Sequence, residues 1–277
     1  MRGVGLRQRI TSGILQTGKV AVGRDGDTAD VIVFRDWHRP QPHTAVMDYT
    51  IFVAAITLPV IFWAGYHYYK DRHLPEPIGN LLLCFILGVA SFYIGKYMYE
   101  GLDLIGLRFD AVLLAETQPL HMFAYAVLVI GVIEELAKLI PFLFVVLRFT
   151  AFDEPIDGII YASFIALGFA AVENIQYLQF LDTAESIARG FAAPLVHIMF
   201  ASIWAYHIGQ AYLRKKALLP IAAAAVAATA VLHGIYDFAV IALPGPALPV
   251  SAFLILLIWL WRMSVIRALH RDRAGQE

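Results

Sequence analysis

Two adjacent carboxylates, Glu134 and Glu135, and an ammonium, Lys138, interrupt the apolar stretch GVIEELAKLIPFLFVVL at 131–147. Similar interruptions are Glu173 and Asn174 in LGFAAVENIQY, His197 in APLVHIMF, and His233 and Asp237 in VLHGIYDF. A charge at the centre of a membrane-crossing helix costs about 2.5–3.5 kcal/mol on insertion scales, so ionisable groups at depth are functional candidates. Catalytic zinc takes three protein ligands, commonly imidazole nitrogen and carboxylate oxygen, and keeps a water whose pKa falls to about 7. Glu173, His197 and His233 supply one carboxylate and two imidazoles, with zinc the expected metal. Glu134 or Glu135 is then the general base, and Lys138 or Asn174 positions groups or stabilises an oxyanion. A metal-free version uses the same residues: a glutamate and a histidine activate water, with His233 as oxyanion stabiliser and Asp237 as orienter. Either version yields hydrolysis inside the membrane.

Spacing groups these residues. Glu134 and Lys138 are four apart and share a helix face, as do Phe169 and Glu173, and His233 and Asp237. Glu135 lies about 100° around from Glu134, so the two glutamates should have different jobs. Depth groups them further. Glu173, His197 and His233 each fall about eight or nine residues from helix ends on one side of the membrane, roughly 12–14 Å below that surface, with Glu134 near the same level. A lone membrane histidine or asparagine is more often an interhelical hydrogen-bond partner, and Glu134 with Lys138 alone would read as a neutralised pair. A shared depth favours one site over separate accidents. His207, Phe169 and Tyr177 read as packing or interfacial residues, and Asp153 with Pro155 as a helix start that accounts for Asp157.

The elements that must carry these residues are membrane helices. Of 277 residues, 60% are hydrophobic and 16% charged, and the mean hydropathy is +0.67, a composition for a bilayer rather than for water. A net charge of −1 gives no basic surface for nucleic acid. The lone Cys84 has no partner for an internal disulfide. Apolar runs near the roughly 20 residues needed to cross the hydrocarbon occur at 46–68, 78–99, 120–148, 157–181, 188–212, 217–241 and 247–264. They predict an all-α integral membrane protein, a bundle of about seven transmembrane helices over 46–264, between a polar tail at 1–45 and a basic tail at 265–277. VAVGRDGDTADVIVF predicts a hairpin, and LIGLRFDAVLL an amphipathic interfacial piece. The opening residues lack the apolar core of a cleaved signal peptide. Lys70, Arg72, Arg148, Arg214, Lys215, Lys216, Arg262, Arg267, Arg271 and Arg273 collect on one side, which is therefore expected in the cytoplasm, with the site toward the opposite face.

The ordered motifs EELAK, GFAAVEN, isolated His197 and HGIYD resemble the signatures of the PrsW family of intramembrane proteases, related to the group that includes CAAX-prenyl proteases and bacteriocin-immunity membrane proteins. The resemblance runs from Glu134 to Asp237 and extends through DEPIDGIIYASFIALGFAAVENIQY. It implies a multi-helix protease of the bacterial inner membrane, which in the founding member acts on a membrane-bound anti-sigma factor from the extracytoplasmic side. By motif position it assigns Glu134, Glu135, Lys138, Glu173, His197, His233 and Asp237 to the active site. CAAX-type relatives carry histidine where this sequence has Glu173, so their scheme does not transfer directly. The expected substrate is a single-span membrane protein within the lipid bilayer. Two rivals remain. A proton- or ion-coupled transporter also uses acid–histidine chains, but the odd helix count, the lack of an internal repeat and the nearly apolar far halves of the third to sixth helices weigh against it. A noncatalytic scaffold would tolerate replacement of Glu135 and His233.

Overall fold

The computed structural model describes residues 17–21, 28–32, 49–70, 75–243 and 247–274. The chain divides into two units, Met1–Val46 and Met47–Glu277. In the first, β1 (Thr17–Ala21) pairs antiparallel with β2 (Thr28–Ile32), Thr17 opposite Ile32 and Ala21 opposite Thr28. This is the expected hairpin, with its first strand starting before the VAV run.

The second unit is helical. Its elements are α1 (Tyr49–Lys70), α2 (Ile78–Asp103), α3 (Ala111–Thr117), α4 (Pro119–Tyr125), α5 (Gly131–Phe144), α6 (Pro155–Tyr177), α7 (Thr183–Leu213), α8 (Leu218–Ala242) and α9 (Ala247–Ala274). Among the described residues six helices are long and apolar enough to cross a membrane: α1, α2, α6, α7, α8 and α9. The remaining expected span, 120–148, is composite, with a π-helical turn at Ala126–Ile130 between α4 and α5. The count of seven is thus six uninterrupted spans plus this composite. A π turn takes in an extra residue and re-phases the helix beyond it, here the face bearing Glu134 and Glu135. The expected amphipathic piece contributes α3, which buries no residue and is capped by Asp110 Oδ1, accepting from Leu113 N at 2.9 Å.

α6 is the central helix: 89% of its span is buried, against 17% for α1. It starts with Pro155 in the first turn, where the missing N–H costs nothing. Glu154, not the expected Asp153, is the N-cap, because Asp157 Oδ2 reaches back to accept from Glu154 N at 2.7 Å and Asp153 N at 2.9 Å.

Glycines let these helices approach backbone to backbone, as expected where lipid supplies no hydrophobic drive between helices. A Cβ on Gly88 of α2 would lie 2.0 Å from the Ile165 carbonyl oxygen, and one on Gly168 of α6 2.0 Å from that of Phe85. At the second crossing, a Cβ on Gly131 would lie 2.3 Å from the Ala230 carbonyl oxygen, and one on Gly234 2.4 Å from Val127 Cα. Gly131 precedes Glu134 by three residues and Gly234 follows His233, so this crossing sets how closely the EELAK and HGIYD motifs meet. Gly234→Val should therefore separate them, with an overpacking cost of about 1–3 kcal/mol seen in thermal unfolding and a loss of proteolysis. Gly65→Ala, where nothing lies within 4 Å of the added carbon, should leave both unchanged.

Buried polar groups do occur in the far half of the bundle, but mostly on or beside α1, α2 and α9, outside the four helices expected to be nearly apolar there; of those four, α6 contributes Tyr161 and Ser163. Glu76 accepts a hydrogen bond from the Tyr161 hydroxyl, which in turn accepts from Asn80 Nδ2 at 3.1 Å. Burial raises the pKa of Glu76, which lies just before α2. Ser163, His67 and Arg262 form a further buried group. Along α6, however, Phe164–Gly168 is wholly apolar between Ser163 and the Glu173 end, a poor path for protons.

Candidate active site

Glu135 is the hub of the site. Fully buried on α5, it accepts from Lys138 Nζ through Oε1 at 2.6 Å, from His233 Nδ1 through Oε1 at 2.7 Å, and from Trp204 Nε1 through Oε2 at 2.8 Å. Three donors converge on this carboxylate, two on Oε1 and one on Oε2. Spacing alone offers Glu134 as the partner of Lys138, but the lysine turns to Glu135 three residues back, a pairing helical geometry permits equally. Lys138 Nζ also lies 3.2 Å from His197 Nδ1 and 5.0 Å from the centroid of the Phe169 ring. Phe169, expected only to pack, is therefore in contact with both Lys138 and, at 5.2 Å between ring centroids, His197.

The two histidines are oriented by these bonds. An ammonium can only donate, so His197 Nδ1 accepts from Lys138 and Nε2–H donates to Glu173 Oε2 at 2.9 Å. His233 donates Nδ1–H to Glu135, leaving the lone pair of the neutral ring on Nε2. That nitrogen lies 3.5 Å from Glu134 Oε2 and 3.7 Å from Asp237 Oδ2. Neither of those oxygens has a hydrogen-bond partner, although both are buried. Glu173 Oε2 additionally meets Arg189 Nη2 at 3.3 Å, and the Arg189 guanidinium lies 4.3 Å over the Tyr177 ring.

One donor atom each from Glu134, His197 and His233 lie within 4.8 Å of one another, contributed by α5, α7 and α8. A carboxylate and two imidazoles suit zinc, and the orphaned Glu134 oxygen is an acceptor in want of a cation. The residues present fit a metal provided that His197 offers Nε2, giving up the proton it donates to Glu173, while Lys138 keeps Nδ1. The carboxylate grouped with the histidines is Glu134, whereas Glu173, expected in that place, is engaged by His197 and Arg189. Glu135, Lys138 and Asp237 join the cluster as the sequence suggested. Asn174 makes no hydrogen bond to it: the side chain is buried with both amide atoms unpartnered. Eleven residues, three helical turns, align Asn174 with Ser163 and turn it about 100° from Glu173. His207 is exposed beside Tyr206 and Trp261, apart from the cluster.

Sequence reasoning missed Trp204 and Arg189. Trp204 stands seven residues after His197, two turns on and on the same face, and that spacing was the available signal. Arg189 is the second residue of the apolar run expected at 188–212, and it sits well inside α7, whose earlier start at Thr183 is capped by Asp182 and Glu185. Trp204→Phe should strand Glu135 Oε2 without its donor, lowering stability by about 1–3 kcal/mol in thermal unfolding and slowing proteolysis.

The sequence profile of the family described as PrsW family intramembrane metalloprotease matches residues 76–262. Among its relatives, Protease PrsW of Geobacillus kaustophilus is 29% identical over 216 residues, covering 75% of this chain and 87% of that protein. Protease PrsW of Oceanobacillus iheyensis is 30% identical over 224 residues, covering 79% and 93%, and that of Bacillus subtilis 28% over 211 residues, covering 75% and 90%. No solved structure matches the chain. The matched region contains all the residues of the buried Glu/His cluster, and the chain belongs to the PrsW family of intramembrane metalloproteases.

Proposed function

We propose that the chain, a peptide hydrolase of the membrane, cleaves a single-span membrane protein such as an anti-sigma factor at a metal site held by Glu134, His197 and His233. The observation that carries this reading is the approach of those three donors to within 4.8 Å from three helices. Zinc, when bound there, supplies a Lewis acid and a water of lowered pKa. The protein groups have separable tasks. Glu135 fixes the tautomer and ring direction of His233 through Nδ1, an arrangement usual for metal-binding histidines. Lys138 holds Glu135 and His197 together. Asp237, whose Oδ2 is unpartnered 3.7 Å from His233 Nε2, takes the proton released when water attacks the peptide carbonyl. Arg189 holds Glu173 beside His197.

A second assignment has its own support: Glu173 Oε2 lies 2.9 Å from His197 Nε2, so Glu173 replaces Glu134 as the carboxylate ligand in a variant of the same chemistry. The site faces the extracytoplasmic side of a bacterial inner membrane, supported by Arg148 and Arg214–Lys216 at the opposite ends of the helices that carry it. The test is cleavage of a single-span substrate by purified protein in proteoliposomes, read by mass spectrometry of the products. Wild type should cut within or near the span and His233→Ala should not. Equal product from both would overturn the proposal.

A further inference from the structure

At the end of the bundle away from the Glu/His cluster, Arg262 of α9 is 4% exposed, His67 of α1 is 1% exposed and Ser163 of α6 is fully buried. Arg262 Nη2 lies 3.0 Å from His67 Nδ1 and 3.4 Å from Ser163 Oγ. The guanidinium can only donate, so Nδ1 is the acceptor and the proton of the neutral His67 ring sits on Nε2. His67 Nε2 and Arg262 Nη1 are both buried without a hydrogen-bond partner. Both are therefore donors lacking an acceptor. Among the described residues no carboxylate pairs with Arg262. A buried guanidinium without a counter-charge is costly, and the missing group must be an anion rich in acceptor oxygens.

Two further features select the anion. α1 and α9 pack against inner helices, α1 on α6 and α7 and α9 on α7 and α8, without an extensive contact between themselves. Arg262 and His67 bridge them, and both helices otherwise face outward, with 17% and 22% of their spans buried. A molecule entering between them comes from the lipid. His67 is three residues from the end of α1, and Arg267 follows Arg262 on α9, so the basic character continues toward this end. Basic pockets between membrane helices at the cytoplasmic face are the usual seats of anionic headgroups.

We propose that Arg262 and His67 bind the phosphate of an anionic phospholipid between α1 and α9. A headgroup phosphate accepts from both orphaned donors and neutralises the guanidinium. A zwitterionic lipid carries the same phosphate with its charge already balanced, so the site should discriminate between them. Ser163 is ten residues before Glu173 on α6, about 15 Å along the axis, which keeps this site separate from the catalytic cluster.

The test titrates detergent-purified full-length protein with phosphatidylglycerol, phosphatidylcholine or inorganic phosphate and follows thermal unfolding, with native mass spectrometry counting retained lipid. Phosphatidylglycerol should raise the midpoint by about 5 °C over phosphatidylcholine and remain bound to wild type. Arg262→Gln should abolish the difference and the retained lipid, whereas Arg214→Gln, at an exposed basic residue just after α7, should keep both. An equal shift from inorganic phosphate would replace the lipid by a soluble anion and overturn the proposal. Equal response to the two lipids with none retained by wild type would also overturn it, and that measurement holds even if Arg262→Gln fails to fold.

Discussion

Glu134→Gln should unfold at the same temperature as wild type when both are stripped of metal, yet in the presence of metal it should cleave its membrane substrate about 10³-fold more slowly. The two halves of this result have one cause. Glu134 Oε2 has no hydrogen-bond partner and lies 3.5 Å from His233 Nε2, so the isosteric amide breaks nothing that holds the helices together. It removes a negative charge at the point where two imidazoles converge. Glu173→Gln is the contrast. Its remaining oxygen still accepts from His197 and Arg189, so the loss should be closer to tenfold, the scale of groups that orient rather than hold a metal. A Glu134→Gln enzyme with wild-type turnover would remove Glu134 from the site.

Glu135→Ala should do the opposite, destroying stability along with activity. It leaves the Lys138 ammonium buried without its counter-charge, a loss of about 3–5 kcal/mol, and strands the donors of Trp204 and His233. Thermal unfolding should show a large fall in midpoint and a smaller yield of folded protein. The double replacement Glu135→Leu with Lys138→Met removes both charges together. It should recover much of the stability, because an apolar pair of similar volume can substitute for a buried ion pair, but no activity, because His233 and His197 lose the groups that orient them. Neighbouring glutamates would then be separated by experiment into one that holds the metal and one that positions its ligands. A Glu135→Ala protein as stable as wild type would contradict this division.

The 100° between adjacent side chains predicts different tasks for the two glutamates, but both reach His233, Glu135 at Nδ1 and Glu134 at Nε2, so what distinguishes them is the ring nitrogen each meets. The choice of Lys138 partner was not legible in the sequence, since (i, i+3) and (i, i+4) spacings are equally close and tertiary contacts with Trp204 and His233 decide between them. The spans were legible wherever apolar runs were continuous: α2 begins at Ile78 as expected. α7 begins at Thr183 rather than 188, and the overlooked signal was the reciprocal Asp182 and Glu185 cap. The π turn had no local signature, arising where α8 comes against the Ala126 and Val127 backbone at Gly234. Adjacency to Glu173 gave Asn174 too large a role, although its face aligns it with Ser163 instead. Depth correctly gathered residues from four helices, but ordering Glu134 and Glu173 around two histidines requires distances between helices, which spacing along one helix does not supply.

The most direct test is the metal content of purified wild type, Glu134→Gln and Glu173→Gln, measured by inductively coupled plasma mass spectrometry on samples whose folding has been verified. We expect about one zinc per wild-type chain, loss of it in Glu134→Gln and retention in Glu173→Gln. Wild-type protein that cleaves its substrate while containing no metal, or a Glu134→Gln protein that keeps zinc while Glu173→Gln loses it, would contradict a site held by Glu134, His197 and His233.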